Sequence, residues 1–195
     1  MGGNSKLGSV PNVSLLPITS CDKSIGCAKC SECYAVKFAK LRKNVRNAWS
    51  KNTDQAKRPA SFFRLLRTWF DKYNPSFFRW FVAGDAPSLA FMRRIVEFAA
   101  DHPDTKFLVF TKRYAWVNAV LAKTDRPANL ALVFSAWPGT DVPNPNGLPV
   151  AWMRDNRDPD PRIPDDALEC PGGCEGCGMC WNLPAIKRDV VFDKH

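Results

Sequence analysis

Eight cysteines in a chain of 195 residues fall into two tight groups, with none from position 34 to position 169. The first group reads Cys21-x5-Cys27-x2-Cys30-x2-Cys33 and the second Cys170-x3-Cys174-x2-Cys177-x2-Cys180. Thiols can form disulfides, bind zinc or hold an iron–sulfur cluster, and the spacing discriminates among these. Disulfides suit a cytosolic chain poorly, and cysteines two residues apart link no distant parts of a fold. Structural zinc usually draws two Cys-x2-Cys knuckles from separate places, whereas each group here has three cysteines at consecutive x2 steps. A loop wrapped around one corner of a cubane can deliver such thiolates to successive irons. The spacing therefore favours two [4Fe–4S] clusters, with zinc as the alternative. If all four cysteines of a group bind, no iron is open to substrate; if Cys21 stands off in the first group, one iron is free for chemistry.

The net charge of +9 is unevenly placed. Residues 34–79 hold twelve Lys or Arg against Asp54 and Asp71, so this segment carries +10 and the rest of the chain −1. A compact basic segment with interleaved aromatics suits a polyanionic partner, and nucleic acid is the partner expected for it. Most of those aromatics are expected on the core faces of helices, which leaves the cations to make the contact. No stretch approaches the roughly 18 apolar residues of a membrane span, and the first ten residues lack a secretory core. A cytoplasmic protein with no membrane partner is expected.

These groups must be carried by regular elements. Asn12–Thr19 reads as a first strand ending before the first cysteine group. Tyr34, Phe38, Leu41, Val45 and Trp49 recur at helical spacing and predict one amphipathic basic helix, followed by a second opened by Pro59. Beyond Arg79, short apolar runs alternate with helical ones, the pattern of parallel β/α units. The strands are drawn at Arg79–Gly84, Lys106–Phe110, Leu130–Phe134, Pro149–Met153 and Asp189–Phe192, with helices after Pro87-Ser88 and around Trp116–Leu121. Residues 138–185 form an irregular Pro/Asp-rich excursion that ends in the second cysteine group. Residues 1–195 are expected to make one α/β domain, a partial barrel of parallel strands with two four-cysteine loops.

In such folds ligands sit at the carboxyl ends of the strands. The polar residues there are Cys21 and its group, Asp85, Thr111, Lys112, Arg113, Ser135, Arg154, Asp193, Lys194 and His195. Carboxylates and cations around a cluster would suit an anionic or zwitterionic ligand. Asp85, Lys112, Arg154 and His195 are the catalytic candidates, and Gly84, Asp85, Thr111 and Ser135 the cofactor-binding ones.

A cysteine loop directly after the first strand of a β/α barrel resembles the radical S-adenosylmethionine enzymes. Phe81-Val82-Ala83-Gly84-Asp85 is similar to that superfamily's second strand, whose Gly-Gly-Glu-type end contacts the cofactor's amino group; Gly84 and Asp85 would be the counterparts. The resemblance implies a redox enzyme that binds S-adenosylmethionine and receives electrons from a donor. A fuller resemblance is carried by Gly3-Asn4-Ser5-Lys6-Leu7-Gly8, Cys27-x2-Cys30-x2-Cys33-Tyr34-Ala35, Asn52, Gly84-Asp85, Phe110-Thr111-Lys112 and Phe192-Asp193-Lys194-His195. Together these resemble the gene product 88 family of phages and mobile elements, which implies an origin and an architecture without naming a reaction. The alternative function is a non-enzymatic nucleic-acid- or protein-binding factor whose clusters, or zinc ions, only hold loops in place.

Overall fold

A computed structural model describes residues 6–21 and 33–194. Its strands are β1 (Asn12–Val13), β2 (Phe77–Trp80), β3 (Lys106–Thr111), β4 (Leu130–Ala136), β5 (Val150–Arg154), β6 (Leu168–Glu169) and β7 (Val190–Asp193). All pair in parallel in one sheet of order β1-β2-β3-β4-β5-β7-β6. From β1 to β5 each strand lies beside its predecessor in sequence. Crossovers between neighbouring parallel strands are nearly always right-handed, so an order that never reverses puts the connecting helices on one face.

Those helices are α1 (Tyr34–Leu41), α2 (Lys43–Ala56), α3 (Pro59–Tyr73), α4 (Leu89–Ala100) and α5 (Tyr114–Leu121). Pro59 starts α3 with no N–H to lose, and the Ser88 hydroxyl caps α4 by accepting from the Phe91 amide at 3.1 Å. Phe62, Phe63, Leu66 and Phe70 of α3 and Phe91, Ile95 and Phe98 of α4 pack on Phe78, Trp80, Phe107 and Phe134 of the sheet. The aromatic rings meet tilted or edge to face, as at Phe62–Phe91, at 59°, and at Phe70–Phe98, with centroids 4.9 Å apart at 88°.

Strand alternation sends the other side chains to the opposite face. Leu108, Ala131, Val133, Ala151 and Val190 are buried there against Leu7, Cys180, Trp181 and Leu183. The cover on this face is the second cysteine segment, with α6 (Cys174–Cys177), a 3-10 turn (Met179–Asn182) and α7 (Leu183–Ile186). The Trp181 indole N–H donates to the Phe78 carbonyl at 3.1 Å, pinning that cover to β2.

Several expected boundaries move. The drawn first strand forms a ladder only at Asn12–Val13, because its partner β2 turns away at Phe81; the Leu15 amide then donates to the Ala83 carbonyl at 2.9 Å, and Pro17 and Ile18, at φ +69°, end the run. β2 begins at Phe77 and stops at Trp80, since Phe81 turns to φ +55°. The expected single basic helix breaks at Arg42, whose φ −121° and ψ 89° separate α1 from α2. α2 then docks through polar groups: the Leu16 amide donates to Thr53 Oγ1 at 2.7 Å and Asn52 Nδ2 donates to the Ser14 carbonyl at 3.0 Å. Tyr34, Phe38 and Leu41, expected on a core face, are exposed instead, with Ala35 and Ala39 taking the buried positions of α1. The two-residue strand β6, which flanks β7, was not among the strands read from the sequence.

Candidate metal centre and strand-end network

The second cysteine group gathers in space as it does in sequence. Cys170, Cys174, Cys177 and Cys180 line one cavity together with Pro171, Gly173, Gly178, Met179 and Trp181. All four thiols are free. Gly178, at φ +59°, ends α6 in the left-handed region and turns the chain back so that Cys180 enters the covered face. Cys180 is buried, Cys170 and Cys174 half-buried and Cys177 exposed. Burial pushes the Cys180 thiol up to about 12, and its neighbours Cys170 and Cys174 add to the rise. Cys174 is also raised by burial, while the Arg79 guanidinium pulls it down. Among the described residues no three His, Cys, Asp or Glu side chains stand arranged to hold a metal ion. The donor set fits a thiophilic metal in its chemistry: four sulfurs from one loop, with Gly172, Gly173, Gly176 and Gly178 among the residues between them.

The N-terminal segment braces this loop. The Cys174 amide donates to the Lys6 carbonyl at 2.6 Å, the Ser9 hydroxyl donates to Glu175, and Leu7 is fully buried beside Cys180 and Trp181. Gly8, at φ +59°, meets Glu175 so closely that an added Cβ would lie 1.7 Å from Oε2. The Lys6-Leu7-Gly8 part of the sequence motif is thus a support for the cysteine loop.

Arg79 was not among the candidates read from the sequence. It lies in β2 between Phe78 and Trp80, which face the helices, so its side chain takes the opposite face. Its Nη1 is 3.7 Å from Cys174 Sγ and its guanidinium lies 4.9 Å from the Phe110 ring centroid. Its Nε is buried with no hydrogen-bond partner. The guanidinium also acts electrostatically on the phenol of Tyr34, the residue after Cys33. The available signal was a lone cation at an inward position of an apolar strand.

Of the first group, Cys21 and Cys33 are half-buried, whereas Cys27 and Cys30 lie outside the described residues. Both flanks of their loop attach at the exit of β2. The Asp85 amide donates to Ser20 Oγ at 3.1 Å, and the Tyr34 hydroxyl donates to the Val82 carbonyl. Ser20 and Tyr34, on either side of the first group, are thus held beyond the end of β2, while the segment between Cys21 and Cys33 lies outside the described residues.

Asp85 is the hub of those strand ends. Its Oδ1 accepts from the Ala86 amide and the Thr111 hydroxyl, each at 2.7 Å, and its Oδ2 accepts from the Lys112 amide at 2.8 Å. Burial raises its pKa, opposed by these hydrogen bonds and by the Lys112 charge. Lys112 Nζ donates to Ser135 Oγ at 3.0 Å, and the Tyr114 hydroxyl donates to the Ser135 carbonyl at 2.5 Å. Arg113 donates to the carbonyls of Ala86 and Ser20 at 3.1 and 2.7 Å. Gly84 is required here: at φ +76°, an added Cβ would stand 2.4 Å from Ser20 Oγ and 2.8 Å from the Leu15 carbonyl oxygen.

The remaining candidates form a second group. Arg154 pairs with Glu169 at 2.6 Å and Asp193 at 2.7 Å, joining β5, β6 and β7, and Lys194 pairs with Asp155 at 2.7 Å. The structure thus brings Asp85, Thr111, Lys112 and Ser135 into one hydrogen-bonded cluster, with Gly84 packed beside it against Ser20 and Leu15, and places Arg154 in another. His195 lies outside the described residues.

The fold and these sites define a parallel α/β protein whose sheet is covered on one face by helices and on the other by a four-cysteine loop. The chain belongs to the gene product 88 family, whose sequence model matches residues 2–183. No curated protein and no solved structure matches it. No helix among the described residues is long and apolar enough to cross a membrane.

Proposed function

We propose that this protein is an iron–sulfur redox protein on a partial β/α barrel of the kind found in radical S-adenosylmethionine enzymes. The observation that carries the reading is the gathering of Cys170, Cys174, Cys177 and Cys180 around one cavity on the sheet face opposite the helices. The unreversed strand order from β1 to β5 accords with a partial barrel. Cys170, Cys174, Cys177 and Cys180 would hold one [4Fe–4S] cluster and Cys21, Cys27, Cys30 and Cys33 a second. A cluster supplies one-electron transfer when bound. The chain's own residues do the rest. The Lys6–Ser9 brace and Trp181 fix the C-terminal loop, and the sheet shields its inner side from water. Ser20 and Tyr34 tether the N-terminal loop at the strand ends. The buried Asp85 carboxylate, occupied by three protein donors, does not fit the role of holding the amino group of S-adenosylmethionine, so the reading stops at electron transfer. The test is anaerobic reconstitution with iron and sulfide followed by EPR of the dithionite-reduced protein. About eight irons and eight sulfides per chain with a cluster signal are expected. Zinc uptake without sulfide incorporation would replace the reading with two structural zinc sites.

A second reading, nucleic-acid binding, is favoured by one observation. Of the twelve cations in residues 34–79, all but Arg79 are exposed, and Tyr34, Phe38, Leu41, Leu65 and Tyr73 are exposed among them. Phosphates would meet the cations and bases could stack on the rings.

A further inference from the structure

We infer that Arg79 is the counter-charge of an anionic centre held by Cys170, Cys174, Cys177 and Cys180. This rests on the metal-centre reading and assigns within it a residue that sets the centre's affinity and potential. A guanidinium stays protonated in proteins, so Arg79 brings a permanent charge to an apolar sheet face beside Leu108, Phe110 and Trp181. A charge moved out of water needs a partner. The other cations of its segment meet solvent, yet Arg79 is half-buried, and among the described residues no carboxylate lies within ion-pair distance of it. Its Nε is orphaned and its Nη1 points at Cys174 Sγ. A neutral thiol is a weak acceptor, whereas four thiolates around a zinc ion or an oxidised cubane leave a net charge of about −2 for a guanidinium to face. The orphaned donor, the missing carboxylate and the adjoining sulfur ligands are accounted for together by a negatively charged centre in the cysteine cavity.

Hydrogen bonds and positive charge near ligand sulfur favour the more negative, reduced state of a cluster. Removing the cation therefore lowers the reduction potential and weakens metal retention. The experiment compares the wild type with Arg79→Met and Arg79→Lys, each loaded anaerobically with ferrous iron and sulfide and, separately, with Zn2+. Metal content, retention against a chelator, cluster midpoint potential and melting temperature with and without metal are measured. Arg79→Met is expected to lose about 10- to 100-fold in metal affinity and to shift the midpoint downward, with Arg79→Lys in between. Its melting temperature without metal should equal or exceed that of the wild type, because an unpaired buried charge has gone, whereas its gain on loading should be smaller. Equal affinity, equal potential and an equal gain on loading would overturn the inference while leaving the metal centre in place. Wild-type protein that retains no metal would overturn both. If Arg79→Met fails to fold, the neutral and polar Arg79→Gln takes its place: affinity and potential equal to wild type would overturn the inference, and a loss in both would uphold it.

Discussion

Asp85 shows how a residue that looks catalytic in sequence can be a clamp. Three donors from the exits of β2 and β3 converge on its carboxylate, so Asp85→Ala leaves two backbone amides and a hydroxyl unpaired. A stability loss of about 3 kcal/mol or more is expected in urea titrations, each stranded group costing roughly 1–3 kcal/mol. The pH dependence has a definite sign. The folded-state pKa is raised by burial, so the charged form is disfavoured in the folded protein and Asp85 contributes most below that pKa. The stability advantage of the wild type over Asp85→Asn should shrink as pH rises through the raised pKa; an advantage that grew with pH would contradict the burial. Gly84→Ala forces a Cβ into Ser20 and Leu15 at positive φ and should cost at least about 1–2 kcal/mol in the same assay. In metal-free protein at pH 8, Cys177, the exposed thiol, should alkylate with iodoacetamide well before Cys180. The latter's pKa of about 12 leaves on the order of one thiolate in ten thousand. At this scale Thr111, Lys112 and Ser135 lie at the ends of β3 and β4 as the sequence pattern places them, whereas Asp85 lies five residues beyond the end of β2. The sequence could not reveal that they bond one another, because hydrogen bonds between residues 23 to 27 positions apart leave no local pattern.

At the scale of elements, α3 and α4 hold the aromatic layer that fastens the helices to the sheet. Phe98 lies within 5.6 Å of Phe63 and 4.9 Å of Phe70 and stacks on His102 at 4.1 Å. Phe98→Ala should cost about 3–5 kcal/mol, seen as a fall in the denaturation midpoint. The periodicity of Phe62, Leu66 and Phe70 made α3 readable in advance. The break at Arg42 was not, because no Pro or Gly marks it; it arises where α2 turns to bond Ser14 and Leu16 through Asn52 and Thr53. That break leaves Phe38 and Leu41 on the surface beside Lys37, Lys40 and Lys43. If this face binds nucleic acid, affinity should fall steeply with salt, with a log–log slope near −0.9 per phosphate contacted on duplex DNA. Reversing Lys40 and Lys43 to Glu should flatten that slope. Salt-independent or absent binding would remove this reading.

Across the whole molecule, a parallel sheet was legible because the runs at Phe107–Phe110, after Lys106, and Leu130–Phe134 are continuously apolar, as strands buried on both faces must be. What covers the second face was not legible. The excursion after Pro138 reads as irregular, yet it delivers Cys180, Trp181 and Leu183 onto Leu108 and Val133 as a small core of their own. The same packing that buries this face sets four thiols around one cavity, beside a cation that strand alternation sends to the same side. The most direct measurement is the iron, sulfide and zinc content of protein purified anaerobically, for the wild type and for Cys170→Ser/Cys174→Ser. About eight irons and eight sulfides falling to about four of each in the double variant is the expected result. Wild-type protein carrying neither iron nor sulfide after reconstitution would contradict it.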